Sequence, residues 1–241
     1  MRPREYALVA LSVIMAILCA RLGVWQVSRL YERRASNALI AQRLAEPPVT
    51  IAQLPRDTTV LRFRRVVFQG TYDYAHEIVL TLRTRNGSPG VNVLTPVHMA
   101  GSDTALLVNR GWVYAPDGVH NDLSPWREGN SAQGIGFAVP LGTPDAGVAR
   151  SSSRPNAYRW VDLRAIAASI PYPVYPLVVV LEGDSTPSTK ILPRVPPPPL
   201  DEGPHLSYAI QWFAFMLIAI VGMVFFVRRV RSREPDPFVN Q

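Results

Sequence analysis

Two long apolar runs bracket this 241-residue chain, and the pattern between them changes from helical to alternating. The second run, Tyr208 to Val227, carries no charge and is dominated by Ile, Val, Leu, Met, Phe and Ala. As a helix rising about 1.5 Å per residue it covers about 30 Å, the hydrocarbon thickness of a bilayer. Arg228, Arg229, Arg231 and Arg233 follow at once and mark that end as cytoplasmic. The first run, Tyr6 to Ala20, follows Arg2 and Arg4 and resumes after Arg21 with Leu22-Gly23-Val24-Trp25. It lacks a small-x-small cleavage pattern, and Ala16-Ile17-Leu18 before Cys19 is a poor lipoprotein site. The pattern therefore predicts an uncleaved anchor in which Arg21 snorkels to the interface. Two spans put both termini on the cytoplasmic side; Arg21, Arg29, Arg33 and Arg34 oppose that orientation, but the short tails weigh more.

Between the spans the periodicity switches twice. Val27, Leu30, Tyr31, Leu39, Ile40 and Leu44 among charges predict that the first helix continues into water until Pro47-Pro48. Strands are then expected at 62–72, 77–85, 90–97, 105–113, 136–142 and 175–182, with Asn86-Gly87 as a tight hairpin turn. Residues 115–134, rich in Gly, Asn, Asp, Pro and Ser, read as a long surface loop. Asp162 is placed to cap a short helix from Leu163 to Ile170, and Pro193-Arg194-Val195-Pro196-Pro197-Pro198-Pro199 as an extended spacer. The expected fold class is an α+β membrane protein, two transmembrane helices flanking one antiparallel β-rich extracytoplasmic domain. Its parts are a first span (1–25), a helical extension (26–46), the β-rich domain (47–192), a Pro-rich linker (193–204), a second span (205–228) and a cytoplasmic tail (229–241).

Charge changes this picture little. The net charge of +7 suggests nucleic acid until its distribution is considered. Residues 22–207 hold eighteen basic and fifteen acidic side chains, a net of +3, and the short flanks supply the other +4, as membrane topology requires. Nucleic acid is not an expected partner. The single cysteine, Cys19, excludes an intramolecular disulfide, a CxxC pair and a thiolate metal cluster. Hydrolase and phosphate-binding motifs are absent, and His76, His98 and His120 have no partner at metal-ligand spacing, so an enzyme is not expected.

Two places invite a sharper reading. His205, Tyr208 and Trp212 share one helical face where the second span leaves the membrane. Interfacial anchoring explains the two aromatics, and His205 is either a hydrogen-bonded surface residue or a ligand. Trp25, Gln26 and Arg29 sit at the same depth on the first span. If the helices are neighbours, these six residues line one site, in which an imidazole can bind haem iron and an arginine a propionate. In Val108-Asn109-Arg110-Gly111-Trp112-Val113, a β-bulge with Arg110 paired to an acid and Trp112 on the core competes with a partner surface of Asn109, Arg110, Gly111 and Trp112.

The chain resembles the Surfeit-locus-one family, assembly factors for haem-copper cytochrome c oxidase. The resemblance rests on Gly23-Val24-Trp25-Gln26 with Arg29, Gly70-Thr71-Tyr72-Asp73, Gly90-Val91 with Thr95-Pro96, Val108 to Val113, and His205-Leu206-Ser207-Tyr208-Ala209 with Trp212-Phe213. It implies a non-enzymatic chaperone of a bacterial inner membrane that helps deliver or insert haem a into the oxidase catalytic subunit, alongside other oxidase assembly factors. It also maps a haem-iron ligand onto His205. The chain departs from the family in having Asp201-Glu202-Gly203-Pro204 where an Asn usually precedes the histidine, and Arg33 or Arg34 for a usual lysine. The rival expectation is a cofactor-free structural clamp on an oxidase assembly intermediate.

Overall fold

The structure, a computed structural model, describes residues 2–55, 57–142, 154–161, 163–183 and 191–232. The first apolar run and its amphipathic continuation form one unbroken helix, α1 (Pro3–Ala45), which stops before Pro47-Pro48. The second run forms α3 (His205–Arg231), with Pro204 at the N-cap. Each is long and apolar enough to cross a membrane. Large side chains such as Leu11, Ile14, Ile17, Ile210, Ile218 and Phe225 stand exposed along them. The chain divides into two compact units: residues 1–40 with 200–241, and residues 41–199.

The second unit is built on eight strands: β1 (Val49–Thr50), β2 (Arg65–Tyr72), β3 (Ile78–Arg85), β4 (Ser88–His98), β5 (Ala105–Tyr114), β6 (Ser131–Pro140), β7 (Ala157–Tyr158) and β8 (Val174–Leu181). Their order is β1-β2-β6-β8-β5-β4-β3-β7, and β2 also pairs with the far end of β4 through Thr71↔His98 and Tyr72↔Val97. That last pairing closes β2-β6-β8-β5-β4 into a barrel. At the closure a Cβ on Gly70 would run into the His98 carbonyl oxygen, so only glycine lets the two strands approach.

Alternation decides what faces inward. Val66 and Phe68 on β2, Leu106 and Val108 on β5, Ala132 and Ala138 on β6, and Leu177, Val179 and Leu181 on β8 fill the barrel. The next inward position on β5 is Arg110. The short helix α2 (Leu163–Ala167) covers an outer face with Ala165 and Ile166 against Leu94, Leu107 and Val178.

Most expected strands and the Asn86-Gly87 turn are present, the turn with both residues at positive φ, 48° and 78°. Four expectations need correction. The sheet is not wholly antiparallel, because β1–β2, β3–β7 and β5–β8 run parallel. Residues 115–134 are not all surface loop: Ala115 and Leu123 are buried and β6 begins at Ser131. The strand expected from Arg62 starts only at Arg65, after Phe63 turns through φ 67°. The helix expected to run to Ile170 ends at Ala167, and the Asp162 cap lies outside the described residues. Pro193 and Arg194 are buried within the second unit, where the Pro193 carbonyl accepts from Trp112 N–H at 3.0 Å.

Candidate functional site

Within the helical unit α1 buries Ala16, Cys19, Gly23, Leu30 and Asn37, residues spaced three, four, seven and seven apart, and α3 buries Ala209. Small residues at this seam let the backbones approach: a Cβ on Gly23 would lie 2.7 Å from Phe213 Cε1. Polar clasps continue the seam beyond it. Arg33 Nε and Asn37 Nδ2 both donate to the Asp201 carbonyl, at 3.1 and 2.8 Å. Arg34 grips Glu202 through two hydrogen bonds of 2.7 and 2.9 Å. The hydrogen bond and then the charge of Arg34 hold the Glu202 carboxyl below its ordinary range, and those of Glu202 raise the guanidinium. Gly203, at φ 66°, turns the chain into α3 and donates its N–H to Asp201 Oδ1 at 3.0 Å.

This clasp presents His205 as the first residue of α3, with Nδ1 2.9 Å from Gln26 Oε1. The amide oxygen accepts, which makes Nδ1 the donor of this pair, and the tautomer it selects in a neutral imidazole has its lone pair on Nε2. Beside it lies a cavity of about 360 Å³ lined by Arg29, Glu32, Arg33, Ser36, Asp201, Gly203 and His205. Arg29 is paired to Glu32 at 2.6 Å. Of the six residues expected to meet here, Gln26 and His205 bond to each other and Arg29 lines the cavity. Trp25 and Tyr208 are 53% and 46% exposed. Trp212 is half-buried, with its ring 6.0 Å from that of Phe215.

The second expected group belongs to the barrel wall. Register slips between Val93↔Gly111 and Leu94↔Asn109, so Arg110 is the extra residue of a β-bulge. Gly111 takes φ 146°, with Leu192 and Pro193 packed where a side chain would sit. Arg110 is completely buried and donates to Thr95 Oγ1 (2.8 Å), the Trp126 carbonyl (2.5 Å) and Glu77 Oε1 (2.6 Å). Glu128 then bridges to Arg194 at 2.8 and 2.7 Å, and the Tyr72 and Tyr74 rings face the Arg110 guanidinium. Asn109 is also buried, and its Oδ1 accepts the Gly111 N–H at 3.1 Å. Arg110 and Asn109 therefore spend their polar groups inside the domain; only Trp112, half-buried, reaches the surface.

One cluster had little signal in the sequence. Asp73 Oδ2 accepts from Tyr172 Oη at 2.5 Å and lies 2.7 Å from His76 Nδ1 and 3.7 Å from His98 Nε2. Burial works to raise the Asp73 pKa, but hydrogen bonds from Tyr172, His76 and the Ala75 N–H outweigh it and hold the group at about 2. The Asp-x-x-His spacing, repeated at Asp117 and His120, was the available hint. Among the described residues no group of three or more His, Cys, Asp or Glu side chains is arranged to hold a metal ion.

Comparison with known proteins decides the family. Residues 13–217 match the SURF1 family. The chain belongs to that family. An uncharacterised SURF1-like protein of Mycobacterium bovis is 27% identical over 98% of this chain and 91% of its own length. A SURF1-like protein of Monosiga brevicollis is 23% identical over 88% of this chain and 85% of its own. Surfeit locus protein 1 of Takifugu rubripes is 32% identical over a shorter stretch, 38% of this chain and 45% of the fish protein. The family is known generally as one of oxidase assembly factors.

Proposed function

We propose that this chain is a non-enzymatic assembly factor for a haem-copper cytochrome c oxidase, one that assists haem a delivery or insertion into the catalytic subunit. α1 and α3 cross a bacterial inner membrane with both termini cytoplasmic, and the barrel domain stands on the periplasmic side. The exposed apolar side chains of both helices and the arginines after Val227 support that placement. The observation that carries the reading is the Gln26–His205 hydrogen bond, which orients the imidazole and leaves Nε2 free to ligate.

The residues present fit one side of a haem. His205 supplies an iron ligand, and Arg29 and Arg33 supply cations for propionates. They do not supply apolar walls for the porphyrin faces, since the cavity is lined mainly by charged and polar groups. Contact is therefore transient, with Trp25, Tyr208 and Trp212 at the same depth and the remaining apolar cover coming from lipid or the oxidase subunit. The same polar lining supports the second reading, a cofactor-free clamp on an assembly intermediate. The test is complementation of a deletion strain with wild type or His205→Ala, measuring haem a per catalytic subunit. Haem-poor subunit at normal abundance in the variant supports delivery; equal haem content at reduced subunit abundance supports the clamp.

A further inference from the structure

On the outer face of β3, β4 and β5, Arg83 and Arg159 lie close enough for their charges to act on each other, and among the described residues no carboxylate pairs with either. Arg83 Nη2 donates to the Arg159 carbonyl oxygen at 2.8 Å. Burial first, and then the charge of Arg159, hold Arg83 below its ordinary pKa. Among the described residues neither forms an ion pair, whereas Arg29, Arg34, Arg64, Arg65, Arg110 and Arg194 all do. Like charges left facing one another repel until an anion comes between them.

The surroundings are aromatic. Arg83 stands opposite Gly90, and Gly90 opposite Tyr114, so all three share one face. The Trp112 ring lies over Gly90, where any side chain would displace it, and Trp112 Nε1 donates to the Arg83 carbonyl at 3.3 Å. The Arg159 guanidinium sits 5.3 Å from the Trp160 ring centre. Tyr114 and Trp160 are 52% and 41% exposed.

We propose that this face docks an acidic segment of a partner protein, its carboxylates between Arg83 and Arg159 and its apolar side chains against Trp112, Tyr114 and Trp160. Planar guanidinium forks match carboxylates, and Arg, Trp and Tyr are the side chains that anchor protein interfaces. A small free anion would use the cations and leave the aromatic rings uncovered. The inference rests on the assembly-factor reading only in requiring a protein partner.

The test places a photoreactive benzoylphenylalanine at position 114 of the full-length protein in its own cells, followed by mass spectrometry of the adduct. The expected adduct is a peptide of another protein rich in Asp and Glu. It falls about tenfold in the Arg83→Glu/Arg159→Glu protein and persists in Arg83→Lys/Arg159→Lys, as removal of charged anchors implies. Arg159→Gln alone, which breaks no described hydrogen bond, gives the same direction should the double variant misfold. Adducts only with lipid or with this chain, or adducts undiminished by charge reversal, overturn the proposal. A His205→Ala strain separates the two readings: an intact adduct there with haem-poor oxidase means that docking and haem handling are distinct.

Discussion

The two units of this chain satisfy their polar groups in opposite ways. The barrel domain buries a chain of charges, Glu77–Arg110–Glu128–Arg194, and answers each one internally. The helical unit keeps its charges in exposed clasps, Arg34–Glu202 and Arg33–Asp201, and leaves most of its apolar surface uncovered. The first meets its charges from within; the second, on the proposed reading, has its apolar surface covered by lipid. Between its helices the half-buried His205 and Gln26 side chains answer each other as a neutral amide–imidazole pair.

Removing Arg110 should break this contrast hardest. Arg110→Ala strands Glu77 in the barrel, leaves Glu128 to Arg194 alone, and costs about 3–5 kcal/mol, the usual cost of orphaning a buried charge. Denaturant unfolding of the domain measures it, and the helical unit should keep its seam. Gly23→Leu is the converse. It drives a side chain into Phe213 at a cost of about 1–3 kcal/mol to helix packing. Maleimide should then reach Cys19, buried at the seam, while the domain's unfolding midpoint stays unchanged.

Acid should sharpen the comparison. The Asp73 carboxyl lies below its ordinary 3.8, so its contribution to domain stability is complete above that pH and fades as pH falls toward about 2. Carboxyl NMR titration reads this directly, and Tyr172→Phe should move the Asp73 midpoint upward. Smallest of all is Glu202→Gln. The Arg34–Glu202 pair is exposed, and its loss should change Cys19 labelling by less than about twofold.

What the sequence made legible follows from the range of the forces involved. Local signals placed α1, α3 and the β3–β4 hairpin, because apolar length and Asn86-Gly87 act within a few residues. Barrel closure depends on Gly70 meeting His98, twenty-eight residues away, and the parallel β5–β8 pairing joins segments with no shared turn. The bulge at Arg110 was readable from Asn-Arg-Gly-Trp, yet its acids, Glu77 and Glu128, were not, since nothing near them in sequence points to β5. At the helical seam Gln26 and His205 were identified by type and depth. Asn37, Arg34 and Glu202 were missed because their pairing needs the helices to be neighbours first. The exposed positions of Trp25 and Tyr208 were hidden for the same reason.

The most direct test of the central claim is the absorption spectrum of the full-length protein purified from haem-a-producing cells, wild type beside His205→Ala and Gln26→Leu. The account predicts a haem band in the wild type that disappears with His205→Ala and weakens with Gln26→Leu, since the latter frees the imidazole to turn. A wild type without haem, from cells whose oxidase fails to assemble when this chain is deleted, would contradict haem handling and leave the clamp.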